Sequence, residues 1–226
     1  MLTGIPFVDA HGALRAGQLV EVCGVGGSGK TEILMQAAVN CVMPRRRGGV
    51  DFGGCESSVL LVDLDGKFDT LRLLKILTAR IKDAITAAAA TNNADEAPSS
   101  VGGLDALNDE VYVESMGRFQ MLRCHSSLDF LKALSVVERI FAAQETKTSS
   151  AGTTRSKNTA RHPNRLLLID NVAAFYWLDR ASRREQGAPL SLHSVHHASA
   201  AKLQELSRRC GRTGKTKNKM SKSIPG

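Results

Sequence analysis

The chain has 226 residues, 42% of them apolar, and a formal net charge of +8; that is material for one sizeable α/β core and too little for two full enzyme domains. No stretch approaches the roughly eighteen apolar residues of a membrane span, and residues 1–12 (MLTGIPFVDAHG) lack the basic-then-apolar pattern of a secretory leader, so the expectation is a soluble intracellular protein with no membrane partner. Five cysteines, Cys23, Cys41, Cys55, Cys124 and Cys210, are odd in number and never spaced as CxxC, which argues against a disulfide framework and against a zinc knuckle.

In chain order, Gln18 to Cys23 (QLVEVC) predicts a short strand running straight into the glycine-rich GVGGSGKT, and Glu32 to Val42 has helical apolar spacing. Val59 to Asp63 (VLLVD) predicts a second strand, followed by a helix through Phe68, Leu71, Leu74, Leu77, Ile81 and Ile85. Phe119 to Cys124 (FQMLRC) predicts a third strand; Ser126 and Asp129 then form a capping-box pattern that opens a helix through Leu128, Leu131, Leu134 and Val137. Leu166 to Asp170 (LLLID) predicts a fourth strand, and Leu192, Val195, Ser199, Leu203 and Leu206 mark one face of a last helix.

Apolar strands alternating with helices imply a mostly parallel sheet with helices on both faces, joined by right-handed crossovers. Two segments, 87–108 and 144–164, are rich in Ala, Ser, Thr, Asn and Gly and read as mobile surface insertions. The charge is concentrated at the end: Arg208, Arg209, Arg212, Lys215, Lys217, Lys219 and Lys222 occur without an acid between Ser207 and Gly226 and account for all but one of the eight net charges. Residues 210–226 are therefore expected to be a basic disordered tail, a candidate nuclear-import or nucleic-acid patch.

Gly24, Gly29, Lys30 and Thr31 satisfy GxxxxGK[ST] between a predicted strand and a predicted helix. The chemistry needs these residues: glycines let successive amides turn toward phosphate oxygens, the helix N-terminus adds partial positive charge, Lys30 reaches the β and γ phosphates, and Thr31 can ligate Mg²⁺. Gly24, Gly26, Gly27, Ser28, Gly29, Lys30 and Thr31 are the expected cradle for ATP, and Asp170, closing LLLID, is the expected second holder of Mg²⁺ through water. A later Gly-Lys-Thr in GRTGKT (Gly211 to Thr216) has Arg209 where the first glycine should stand and no strand before it.

GVGGSGKTEILMQAAVNCVMP, LLVDLDGKFDTLRLLKIL, GRFQMLRCHSSLDFLKAL and LLLIDNVAAFYWLDR together resemble the RecA-type recombinases of eukaryotes, most closely among their paralogues, from about Gly12 to Arg209. That resemblance implies a P-loop NTPase with a RecA-like ATP-binding core over 1–209. It also implies a nuclear role in homologous recombination and double-strand break repair, assisting filament assembly with other recombinase paralogues on single-stranded or branched DNA. By the same resemblance, Asp65 occupies the place of the glutamate that orients the attacking water in active relatives. It is one methylene shorter, and a misplacement of about 1 Å can cost on the order of a hundredfold, so the expectation is at most a weak DNA-dependent ATPase. Relatives continue after the last helix into an apolar strand that lies between the strands of the glycine loop and of LLLID; few apolar residues follow Leu206, so the core is expected to be incomplete at its C-terminus.

Phe175, Tyr176 and Trp177 form the densest aromatic cluster. They read either as a stacking surface for bases, or as a core cluster or subunit contact, the reading favoured here. Arg180, Arg183 and Arg184 fall where the family carries its first DNA-facing loop. His193, His196 and His197 lie around one helical turn without an evident further metal ligand. Two other functions fit a glycine loop: a small-molecule kinase, which needs an arginine-bearing lid, and a nucleotide-free interaction module. A GTPase lacks its NKxD, since the nearest string at Asn218 is NKMS.

Overall fold

The computed structural model of the chain describes residues 3–10, 12–91, 101–149, 165–181 and 192–220. Its elements in order are α1 (Pro6–Asp9), α2 (Lys30–Val42), β1 (Arg46–Arg47), β2 (Val50–Asp51), β3 (Ser58–Asp63), α3 (Thr70–Thr91), α4 (Val101–Met116), β4 (Phe119–Arg123), α5 (Ser127–Ser149), β5 (Arg165–Asp170), α6 (Tyr176–Ala181) and α7 (Leu192–Met220).

Three strands form a parallel sheet in the order β4-β3-β5. β3 is central and its near-continuous apolar run is buried from Val59 onward, the pattern of a strand covered on both faces. Side chains alternate between those faces. Val59 and Leu61 meet Met35, Ala38, Val39 and Val42 of α2, Leu73, Leu77 and Ile81 of α3 and Val111 of α4. Leu60 and Val62 face Phe130, Ala133, Leu134 and Val137 of α5 and Leu206 of α7. The sequence expectation of an α/β chain with a parallel sheet between helical layers is what the structure has.

The helix entries follow their sequence signals. Asp129 N donates to Ser126 Oγ at 3.1 Å, capping α5. Glu138 on α5 accepts from Lys202 Nζ at 2.8 Å and from Arg209, which fastens α7 to α5. A hairpin unforeseen from the sequence joins β1 to β2 through Gly48 and Gly49, whose φ values of 55° and 81° make the two-residue turn that glycine pairs favour. Arg47 of that hairpin pairs with Glu114 of α4, which also receives Arg118, while Arg118 Nη1 reaches Val42 O at 2.9 Å.

Four expectations need correction. The strand expected over 18–23 does not form: residues 18–25 join no ladder, and Leu19 is 68% exposed. A strand is held by its neighbour's backbone, and among the described residues β5 has β3 as its one neighbour, so nothing in the sheet reaches that segment. The insertion expected over 87–108 is helical on both flanks, as the end of α3 and the start of α4, because its alanines are strong helix formers and Leu107 packs on the first core cluster. Residues 92–100 lie outside the described residues. Likewise 144–149 complete α5, while 150–164 lie outside. Cys210 to Met220 continue α7 instead of forming a disordered tail; once a helix is nucleated by packing, each added residue costs little. Residues 221–226 lie outside the described residues.

Candidate phosphate-loop site

α2 begins at Lys30, and Gly29 caps it with φ 82°. That left-handed geometry is strained for any residue with a Cβ, which is why glycine precedes the lysine. The first amides of α2 have no intrahelical partner and point out of the helix end, where an anion is favoured. Lys30 Nζ folds over the loop, donating to Gly24 O at 2.9 Å and Val25 O at 2.8 Å, with Ser28 Oγ at 3.5 Å. Ser28 N closes a turn on Val25 O at 3.3 Å. Residues 24–29, including Gly26 and Gly27, are exposed.

Thr31 Oγ1 donates to Asp170 Oδ2 at 2.7 Å, a contact between residues 139 positions apart. Asp170 sits at the C-terminal end of β5 and is 5% exposed. Burial pushes its pKa up; the bond from Thr31 opposes this, Asp65 and Asp63 push the same way as burial, and Lys30 pulls back. Directly across the ladder stands Asp63, fully buried, accepting from Arg123 Nε and paired with Arg123 Nη2, both at 3.0 Å, and from Gly66 N at 2.9 Å. These bonds shape the turn that carries Asp65.

Asp65 itself is bound elsewhere than the threonine. Its Oδ2 accepts from Asn171 Nδ2 at 3.3 Å and pairs with Lys67 Nζ at 3.2 Å, and its Oδ1 accepts from Lys67 N at 3.2 Å. The structure therefore gathers the glycine loop, Lys30, Thr31 and Asp170, with Asp65 on the neighbouring turn. The sequence reading missed Asp63, Arg123 and Asn171. Asp63 and Asn171 were legible as polar residues at strand ends, within VLLVDLD and LLLIDN, whereas Arg123 in FQMLRC gave no signal apart from its position one residue before the strand's expected end.

Other expected residues lie apart. Arg180 is on α6 and its guanidinium stands 5.5 Å from the Trp177 ring centroid, while Arg183 and Arg184 lie outside the described residues. Phe175 packs on the second core cluster, but Trp177 is exposed, so the core-cluster reading fails for the tryptophan. His193 and His197 stack at 6.4 Å and His196 lies near Tyr176; among the described residues no three His, Cys, Asp or Glu side chains are grouped to hold a metal. None of the described helices is long and apolar enough to cross a membrane.

No protein-family model matches the chain. It is 33% identical over 181 residues to the DNA repair protein XRCC2 homolog of Arabidopsis thaliana, covering 75% of this chain and 44% of that protein. It is 25% identical over 172 residues to the DNA repair protein XRCC2 of Mus musculus, covering 76% and 46%. DNA repair protein RAD51 homolog 3 of Cricetulus griseus matches at 28% over 120 residues, 53% of this chain and 30% of its own. The chain thus spans less than half the length of the curated relatives it matches. Over the segment it shares with them, the chain is similar to XRCC2-like recombinase paralogues.

Proposed function

We infer that the chain is an ATP-binding protein of homologous recombination: a RecA-like P-loop core that acts in the nucleus with other recombinase paralogues. It assists strand-exchange filament assembly on single-stranded or branched DNA at double-strand breaks. The observation that carries the nucleotide reading is the 2.7 Å bond from Thr31 to Asp170, which sets a hydroxyl and a buried carboxylate side by side next to a helix N-terminus whose lysine is folded onto the loop. The donor set fits Mg²⁺, which takes oxygen ligands and keeps several waters when it accompanies a nucleotide. DNA repair as the setting is supported by the names of the relatives.

In this reading the amides from Gly26 to Lys30 would receive phosphate oxygens, Lys30 would exchange two carbonyl partners for phosphates, and Thr31 and Asp170 would hold Mg²⁺ through water. Bound Mg²⁺ would neutralise phosphate charge. Asp65 is spanned by Lys67 and Asn171, so its carboxylate is engaged on the turn instead of poised over the loop; turnover is then at most weak and DNA-dependent. A fluorescent ATP analogue titrated into the chain with and without Mg²⁺ tests the reading. Lys30→Ala removes charge-assisted bonds worth about 1.5–3 kcal/mol, so affinity should fall at least about tenfold. Absence of binding in the native chain would favour the nucleotide-free interaction module, and DNA-independent turnover on a small acceptor would favour the kinase.

A further inference from the structure

Cys41 and Cys55 take no part in the phosphate loop, yet the fold brings them together. Residues 52–57 run along the C-terminal end of α2 and are stitched to it by five backbone bonds: Phe52 N to Arg45 O at 2.9 Å, Gly54 N to Pro44 O at 3.1 Å, Cys55 N to Asn40 O at 3.0 Å, and Glu56 N to Met43 O and Ser57 N to Cys41 O, both at 2.9 Å. The approach is so close at Gly54 that a Cβ there would stand 2.1 Å from Met43 O. The Cys55 amide thus bonds the carbonyl of the peptide group that leads into Cys41. One hydrogen bond and one peptide group cannot hold two Cα atoms farther apart than the upper end of the roughly 4.4–6.8 Å that a disulfide spans. The Cys55 sulfur also accepts from Asn40 Nδ2 at 3.8 Å, so it leans towards α2. Glu56, next to it, has φ 53°, a left-handed geometry uncommon for a residue with a Cβ and held here by the bonds on either side.

Both residues are thiols in this structure, but they differ in reach. Cys41 is 1% exposed among the apolar residues of the first core cluster, whereas Cys55 is half-buried in its loop. Burial pushes the Cys41 thiol up to about 12; a charge on Cys55 pushes the same way and a bond from Ser57 opposes. A small disulfide therefore meets Cys55 first. We propose that Cys41 and Cys55 form a reversible oxidation site, closed to a disulfide by a low-molecular-weight disulfide such as oxidised glutathione and reopened by thiols. The Cys55 thiolate attacks one sulfur of the small disulfide, whose S–S bond breaks and releases one thiol. Cys41 then gives up its proton and attacks the Cys55 sulfur, expelling the second thiol. Two protein thiols are oxidised by two electrons in all, and the small disulfide is reduced to two thiols that carry away both protons. In a reducing compartment such a pair stays open and closes only on oxidation. Closed, it staples the end of α2, and with it the hairpin of β1 and β2, to the entry of β3.

Trypsin leaves the two cysteines on separate peptides, 31–45 and 48–67, because Arg45, Arg46 and Arg47 lie between them. The folded chain is incubated with oxidised glutathione, digested without reduction and read by mass spectrometry. Glutathione on Cys55 should appear first and a link between the two peptides second, slowly, because little Cys41 is ionised at neutral pH; dithiothreitol should reverse both. The linked chain should melt higher by on the order of 5–10 °C, and Cys55→Ser should show neither the link nor the rise. Cys41→Ala should stop at the glutathione adduct of Cys55. A native chain that stops at that adduct, that links Cys41 or Cys55 to a different cysteine, or that joins the two peptides only in denaturant overturns the proposal.

Discussion

Asp170 ionises against its surroundings. Burial raises its pKa and the neighbouring Asp65 and Asp63 add to the effect. A carboxyl whose folded pKa lies above its unfolded value stabilises the fold at acid pH and loses that contribution as pH rises through the folded pKa. At neutral pH the ionised Asp170 is therefore a cost, one that the proposed Mg²⁺ would offset. Asp170→Asn keeps an acceptor for Thr31 and removes the charge, so it should raise the melting temperature at pH 7, with the gap to the native chain closing as pH falls into the carboxylate range. The same variant should lose the Mg²⁺-dependent part of ATP affinity; a variant no more stable than the native chain would show that the charge is already compensated. Single residues were also where the sequence was most legible. Lys30, Thr31 and Asp170 are set by motif and spacing, whereas the partners of Asp63 and Asp65 depend on which strands lie side by side.

Helices and buried strands were readable because their apolar periods survive in the fold: Leu134 and Val137 of α5 are fully buried, as are Leu77 and Ile81 of α3. Leu134→Ala should cost about 2–5 kcal/mol in chemical denaturation. Leu128, on the same helix but half exposed, should change stability by no more than about 0.5 kcal/mol when cut to alanine. Equal losses at the two positions would mean that α5 packs otherwise. What the sequence hid has local reasons. The hairpin at Gly48 and Gly49 lacks flanking apolar alternation, as its strands are only Arg46–Arg47 and Val50–Asp51. The segment 87–108 has the composition of a linker, yet Leu107 near its end packs on the core, with Val111 of the same helix buried just beyond it. The expected strand at 18–23 had the right residues, but strand formation is decided by a neighbour far away in sequence.

The whole molecule is consequently uneven in its stability. β3, bonded on both sides and buried, should hold the slowest-exchanging amides, and residues 18–25, outside any ladder, should exchange nearly as freely as an unfolded chain. Hydrogen exchange read by mass spectrometry checks this directly; protection over 18–25 comparable to that of β3 would contradict the arrangement described. The glycine loop is then steadied less by what precedes it than by the packing of α2 and by the bond from Thr31 to Asp170. On a ribosome, synthesis proceeds at about 5–20 residues per second. The nascent glycine loop therefore emerges many seconds ahead of the carboxylate that braces it, and any help that nucleotide can lend to maturation must wait until LLLID has cleared the exit tunnel.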